Sequence, residues 1–122
     1  RHYFWKRCYI WLDEIKFDYS GRSVQIIGEI NASLCSNKPQ NTEWISFSLI
    51  FTGILGFRMV EYDFAQLKGK SSFDEIKKSE WISEMQKFDF DSKVKPEHKH
   101  YFLQTYDDIF EIVCKAQQCQ RL

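Results

Sequence analysis

The sequence predicts an α+β fold: a single strongly bent, mainly antiparallel sheet of four to six strands, with one or two helices packed on one face. Three observations predict it. First, Ile45, Phe47, Leu49, Phe51, Gly53, Leu55, Phe57 and Met59 recur at every second position, with Ser46, Ser48, Thr52 and Arg58 among the residues between. Strand side chains alternate between two faces, so this is one long strand, or two strands meeting at a bend, with an apolar face and a mixed face. Second, Gly53 and Gly56 interrupt that alternation, and glycines inside an apolar strand mark a bend or bulge. Third, Ser72 to Lys87 carries apolar residues at helical spacing behind a capping signal. Antiparallel hairpins with a segregated helix are the usual answer to such a pattern.

Each element follows in order. Tyr3 to Tyr19 is rich in aromatic and β-branched residues, and Tyr9 and Trp11 alternate with Ile10 and Leu12. It reads as a strand covered on both sides, with Lys6, Arg7, Asp13 and Glu14 near its ends. Tyr19-Ser20-Gly21-Arg22 is a turn signal followed at once by new alternation, the hairpin pattern. The second strand runs from Ser23 to Leu34, with Val24, Ile26, Gly28, Ile30 and Ala32 on one face; Gly28 marks a bulge or a close backbone approach. Ser36 to Thr42 is a polar loop, and Leu67 to Lys70 is a second break.

Ser72-Phe73-Asp74-Glu75 matches a capping box, and Phe73, Ile76, Ile82 and Met85 continue it as a helix from about Ser72 to Lys87. Ser79-Glu80 can instead cap a second, shorter helix. Phe88 to Glu97 is a loop. His98 to Tyr106 resumes alternation, with His100, Phe102, Gln104 and Tyr106 on one face. Residues 109–114, IFEIVC, fit both a helix capped by Asp107 and a strand; a turn and short strand is the preferred reading. The tail from Lys115 is polar and reads as helical or frayed.

At 122 residues, 43% hydrophobic and 17% aromatic, the chain has material for one packed domain spanning residues 1–122. The 11 Phe and 4 Trp point to an aromatic core, with some rings left for a pocket or interface. Seventeen basic residues balance seventeen acidic ones, 7 against 7 up to Gln66 and 10 against 10 beyond it. Neither half is basic, so nucleic acid is not an expected partner. The longest uncharged run, Trp44 to Phe57, is 14 residues, short of the ~20 that span a bilayer, so no membrane role is expected. Cys8, Cys35, Cys114 and Cys119 show no CxxC spacing and read as reduced thiols. RHYFWKRCYIW lacks a signal-peptide h-region, and a cytoplasmic location is the expectation.

Three groups of residues can carry chemistry. His98 and His100 share a strand face and can meet one metal, although a site needs further ligands from residues such as His2, Asp107 or Asp108. Asp107, Asp108 and Glu111 place three carboxylates within five residues, suited to a divalent cation or to acid–base work; like-charge proximity would raise one carboxyl pKa. Arg58 lies on the mixed face of the long strand near Tyr62 and can clamp a carboxylate or phosphate. No nucleotide-binding glycine motif, HExxH or GxSxG is present, and no cofactor or metal is expected.

The hairpin, the FTGILGFR strand, the SSFDEIKKSEWI helix and the closing HYFLQTYDDIFEIVC segment follow in an order that resembles small bacterial proteins of unassigned function, some of them immunity proteins that neutralise a neighbour's toxin. That resemblance carries no functional residue with it. The expected function is therefore a non-enzymatic protein-interaction domain, immunity-type or regulatory, that binds a protein partner or itself. The alternative is a small-ligand binder or small enzyme with an aromatic pocket in the concave face of the sheet. The candidate binding residues are Arg58, Tyr62, His98, His100, Asp107 and Asp108.

Overall fold

The computed structural model describes residues 9–31, 44–66 and 72–122. They form eight strands: β1 (Tyr9–Asp18), β2 (Ser23–Asn31), β3 (Trp44–Thr52), β4 (Gly56–Glu61), β5 (Phe73–Glu75), β6 (Lys99–Gln104), β7 (Asp108–Cys114) and β8 (Ala116–Arg121). One helix, α1 (Glu80–Lys87), lies between β5 and β6, and a 3-10 turn spans Tyr62–Phe64. The α+β expectation with one bent sheet is overturned. The chain is mostly β, in two four-stranded antiparallel sheets ordered β1-β2-β3-β8 and β4-β7-β6-β5, and these do not close into a barrel.

The bend at the paired glycines is real, and it does more than curve a sheet. Gly53 takes a φ of +66°, the left-handed region that favours glycine, and the chain passes there from the first sheet into the second. Lys115 makes the return crossing beside it, donating its amide to the Thr52 carbonyl at 3.0 Å while the Leu55 amide donates to Val113 at 2.8 Å. So β3–β8 and β4–β7 are two halves of one bent ribbon, half in each sheet.

The inner faces meet in one core. Ile10, Val24, Ile26, Ile30, Phe47, Leu49 and Phe51 of the first sheet pack with Phe73, Leu103, Phe110, Ile112 and Cys114 of the second. The Phe51 ring bridges the sheets, 6.2 Å from Phe73 and 6.1 Å from Tyr101. Burial pushes the Cys114 thiol up to about 12, so it sits in the core as a neutral apolar group.

The hairpin forms as the sequence predicts, with Asp18 Oδ1 accepting from the Gly21 amide and the Ser20 hydroxyl. β2 alternates buried and half-buried residues without a break. Gly28 marks a close approach: a Cβ there would run into the Trp11 carbonyl and the Phe47 ring.

β1 corrects the expectation of a strand covered on both sides. It is an edge strand with a bulge between Leu12 and Glu14, so Asp13 and Glu14 stand in its middle rather than near an end. The bulge shifts the phase by one residue. Ile10 and Leu12 before it, and Ile15 after it, all reach the same core. The expectations on Lys6, Arg7, Cys8, Cys35, Ala32–Leu34, the Ser36–Thr42 loop and the Leu67–Lys70 break lie outside the described residues.

Two further corrections concern helix. Phe73–Glu75 is not the first turn of a helix; it pairs with Leu103–Tyr101 as β5. Burying the Phe73 ring against Phe51 and Tyr101 outweighs a capping box worth about 1 kcal/mol. The helix starts only at Glu80, where Ser79 Oγ accepts from the Ile82 amide at 3.0 Å, the shorter helix that Ser79-Glu80 allowed. The polar tail is neither helical nor frayed: Ala116–Arg121 pairs with the backbone edge of β3. That edge has donors and acceptors to satisfy regardless of side-chain polarity. Residues 108–114 take the strand alternative, as β7.

Candidate functional site

The second sheet has an outer face as well as a core face, and the outer face holds a buried polar cluster. In β7, Ile109, Glu111 and Val113 point outward, because Phe110, Ile112 and Cys114 belong to the core. Register sets Arg58 of β4 and Phe102 of β6 on either side of Glu111, and His100 beside Val113. Helix α1 covers this face, with Trp81 and Met85 so close to Gly56 that a Cβ there would meet both.

Within the cluster the bonds form a chain. His100 is 4% exposed, and its Nε2 lies 2.7 Å from Glu111 Oε1 while its Nδ1 lies 2.7 Å from Ser79 Oγ. An ionised carboxylate only accepts, so Nε2 carries the proton and Nδ1 accepts from the Ser79 hydroxyl. Arg58 Nη2 donates to the same Glu111 oxygen at 3.0 Å, and its guanidinium carbon sits 3.9 Å over the Trp81 ring. The Trp81 and His100 rings also pack in a T-shaped pair, their centroids 5.3 Å apart. Burial holds the His100 pKa below the usual histidine value, against the opposing pull of Glu111. The ring is therefore neutral near pH 7.

Two openings reach the cluster. A cleft of about 740 Å³ is lined by Arg58, Val60, Trp81, His100 and Glu111. A cavity of about 340 Å³ on the other side of α1's first turn is lined by Ser79, His98, His100, Lys77, Lys78 and Lys99.

Of the six residues the sequence singles out, Arg58 and His100 come together here. His98 lines the smaller cavity, but its Nδ1 accepts the Lys95 amide at 2.8 Å and closes the turn before β6. Both nitrogens of His100 are used, so the pair has no free nitrogen from His100 for a metal. Among the described residues no group of three His, Cys, Asp or Glu is placed to hold one. Tyr62, Asp107 and Asp108 lie at the far end of β4 and β7, where the Tyr62 amide donates to the Asp107 carbonyl at 2.8 Å. The Asp108 carboxyl is raised, first by burial and second by the charge of Asp107.

Sequence reasoning missed Ser79, Trp81 and Glu111 as partners of this cluster. One signal was present. Glu111 is the lone charge in an apolar run of β7, and a carboxylate in such a strand needs a partner on the neighbouring strands.

A second surface is apolar. At the hairpin end of the molecule, Phe17, Tyr19, Val24, Ile54, Leu55 and Phe57 line a slot of about 380 Å³ between the first hairpin and the β3–β4 corner. Phe17 is 65% exposed and Tyr19 86%. The Phe17 ring meets Phe57 edge-on at 5.4 Å, and Arg22 braces the rim by donating to the Ile54 carbonyl at 3.1 Å. At the opposite end Trp11, Tyr106 and Trp44 form a half-exposed group, with Trp11 stacked on Tyr106 at 4.7 Å and 6.4 Å from Trp44.

No family model, curated protein or solved structure matches this chain, so function rests on its own geometry. No helix among the described residues is long and apolar enough to cross a membrane.

Proposed function

We propose that this chain is a protein-interaction domain, immunity-type or regulatory, that seats an apolar side chain of a protein partner in the slot between Phe17, Ile54 and Phe57. The observation that carries this reading is the grouping of exposed rings on one apolar concavity. Leaving a large apolar side chain in water forgoes about 1.5–3 kcal/mol of burial, which a partner restores. Exposed Phe88 and Phe90 stand elsewhere, in the loop after α1, and exposed Phe64 of the 3-10 turn lines the cleft beside Arg58 and Glu111, where polar and apolar groups are mixed. Asp18 and Arg22 flank the slot and give it the polar rim of a recognition surface.

The alternative of an aromatic pocket in a concave sheet face has less behind it among the described residues. The inner faces are filled by Ile, Leu, Val and Phe, and the polar groups converge outside, under α1.

The test is native mass spectrometry of tagged protein captured from its source lysate, wild type beside Phe17→Asp. A protein held at defined stoichiometry by the wild type and released by the variant supports the slot. Equal capture by both, or a bare chain in both, overturns it. A second copy of the chain in the wild-type spectrum, absent from F17D, identifies self-association as the interaction.

A further inference from the structure

The chain Ser79–His100–Glu111 has a chemical capacity that partner binding does not use. We propose that Ser79 is a nucleophile, with His100 as its base and Glu111 as a positioning residue, in a site that hydrolyses small carboxylic esters bearing an anionic group. The inference is independent of the slot, which lies at the hairpin end of the molecule.

Geometry carries it. A hydroxyl, a base within hydrogen-bond reach and a third group orienting that base are the recurring parts of an activated-serine site. Here both links measure 2.7 Å. The base is Nδ1 rather than the more common Nε2, and Glu111 selects the tautomer that leaves Nδ1 unprotonated. Arg58 holds the Glu111 oxygen from the other side, so the carboxylate cannot swing away from the ring.

Ser79 also sits at the N-cap of an eight-residue helix, where the Ile82 amide donates to Oγ. A hydrogen bond to the charged form favours it, so this amide stabilises negative charge on the attacking oxygen.

The cavity beside Ser79 selects the substrate class. Its volume of about 340 Å³ admits a small ester. Lys77 and Lys99 are paired with Glu75 at 3.3 and 4.0 Å, whereas Lys78 has no ion pair among the described residues. Lys78 is therefore the cation left for an anionic group on the substrate.

The step balances. Ser79 Oγ bonds to the ester carbonyl carbon as its proton passes to His100 Nδ1. The tetrahedral intermediate collapses, the bond to the leaving oxygen breaks, and that oxygen takes the proton from Nδ1. Water then attacks the acyl-Ser79 ester by the same route, releasing the acid. Ester and water become acid and alcohol.

The experiment uses the full chain with two probes: a fluorophosphonate read by peptide mapping, and hydrolysis of mono(4-nitrophenyl) succinate. The expected result is a phosphonyl adduct on Ser79 and ester hydrolysis above buffer. Ser79→Asn keeps a helix-capping side chain while removing the nucleophile, so it should remain folded by circular dichroism and lose both signals. His100→Gln should slow labelling about 100-fold or more. Glu111→Gln keeps an acceptor for Nε2–H but removes the charge, so the pH midpoint of hydrolysis should move lower, which a merely structural role would not do. No adduct on Ser79, wild-type hydrolysis by S79N, or undiminished labelling in H100Q would each overturn the proposal.

Discussion

Glu111→Ala tests the claim that the outer-face cluster anchors α1 to the second sheet. Truncation leaves the Nε2–H of His100, a side chain only 4% exposed, with no acceptor. An orphaned buried donor costs about 1–3 kcal/mol. Arg58 loses the same oxygen, but its side chain is 48% exposed and turns to water, so that loss is worth about 0–1 kcal/mol. The sum is about 1–4 kcal/mol, or a fall in melting temperature of roughly 4–16 °C for a chain of this size. Glu111→Gln keeps an oxygen in place for Nε2–H and should cost only about 1 kcal/mol. The assay is urea unfolding followed by tryptophan fluorescence, with slopes compared to confirm a common denatured state. If E111A unfolds within about 0.5 kcal/mol of wild type, or if E111Q is as damaging as E111A, the anchoring argument fails.

Two further outcomes follow from other parts of the molecule. Because burial depresses the His100 pKa from its ordinary 6.5, the folded state binds fewer protons than the unfolded chain below that value. Stability from this group is therefore full above about pH 6.5 and lost as pH falls toward the folded pKa; urea midpoints should drop on acidification, less steeply in H100Q, and equal slopes in the two proteins would contradict the assignment. Gly28→Ala forces a methyl against the Trp11 carbonyl, which cannot move without disturbing β1–β2 pairing, and should cost about 1–3 kcal/mol by chemical denaturation. A neutral substitution there would show that the two strands are free to part.

Much of the strand content was legible because period two is a local signal. Residues 45–51 alternate, and Ile45, Phe47, Leu49 and Phe51 are all buried. The hairpin was legible from its turn chemistry, and the short helix from Ser79-Glu80. The errors arose where non-local partners decide. Ser72-Phe73-Asp74-Glu75 caps a helix in isolation, yet the Phe73 ring has a better place between Phe51 and Tyr101. The polar tail has no strand pattern of its own and is a strand because β3 has an edge to pair. Apolar residues on both parities of β1 suggested two covered faces, but the bulge at Asp13 brings Ile10, Leu12 and Ile15 onto the core face and leaves Trp11 half exposed on the other.

The candidate site divides the same way. His98, His100 and Arg58 stood out by residue type, and so did the acidic group around Asp107. Only the pairing of β4, β7 and β6 sets Arg58 and His100 around Glu111, and only the seat of α1 brings Ser79 to His100. By itself the sequence determined the local alternation, the turns, the glycine bend and the chemical types available, because these depend on neighbours a few residues apart. The tertiary structure alone decided that the bend splits one sheet into two, and which polar side chains meet. Those outcomes depend on contacts as distant in sequence as Arg58 and Glu111, whose energies no local pattern encodes.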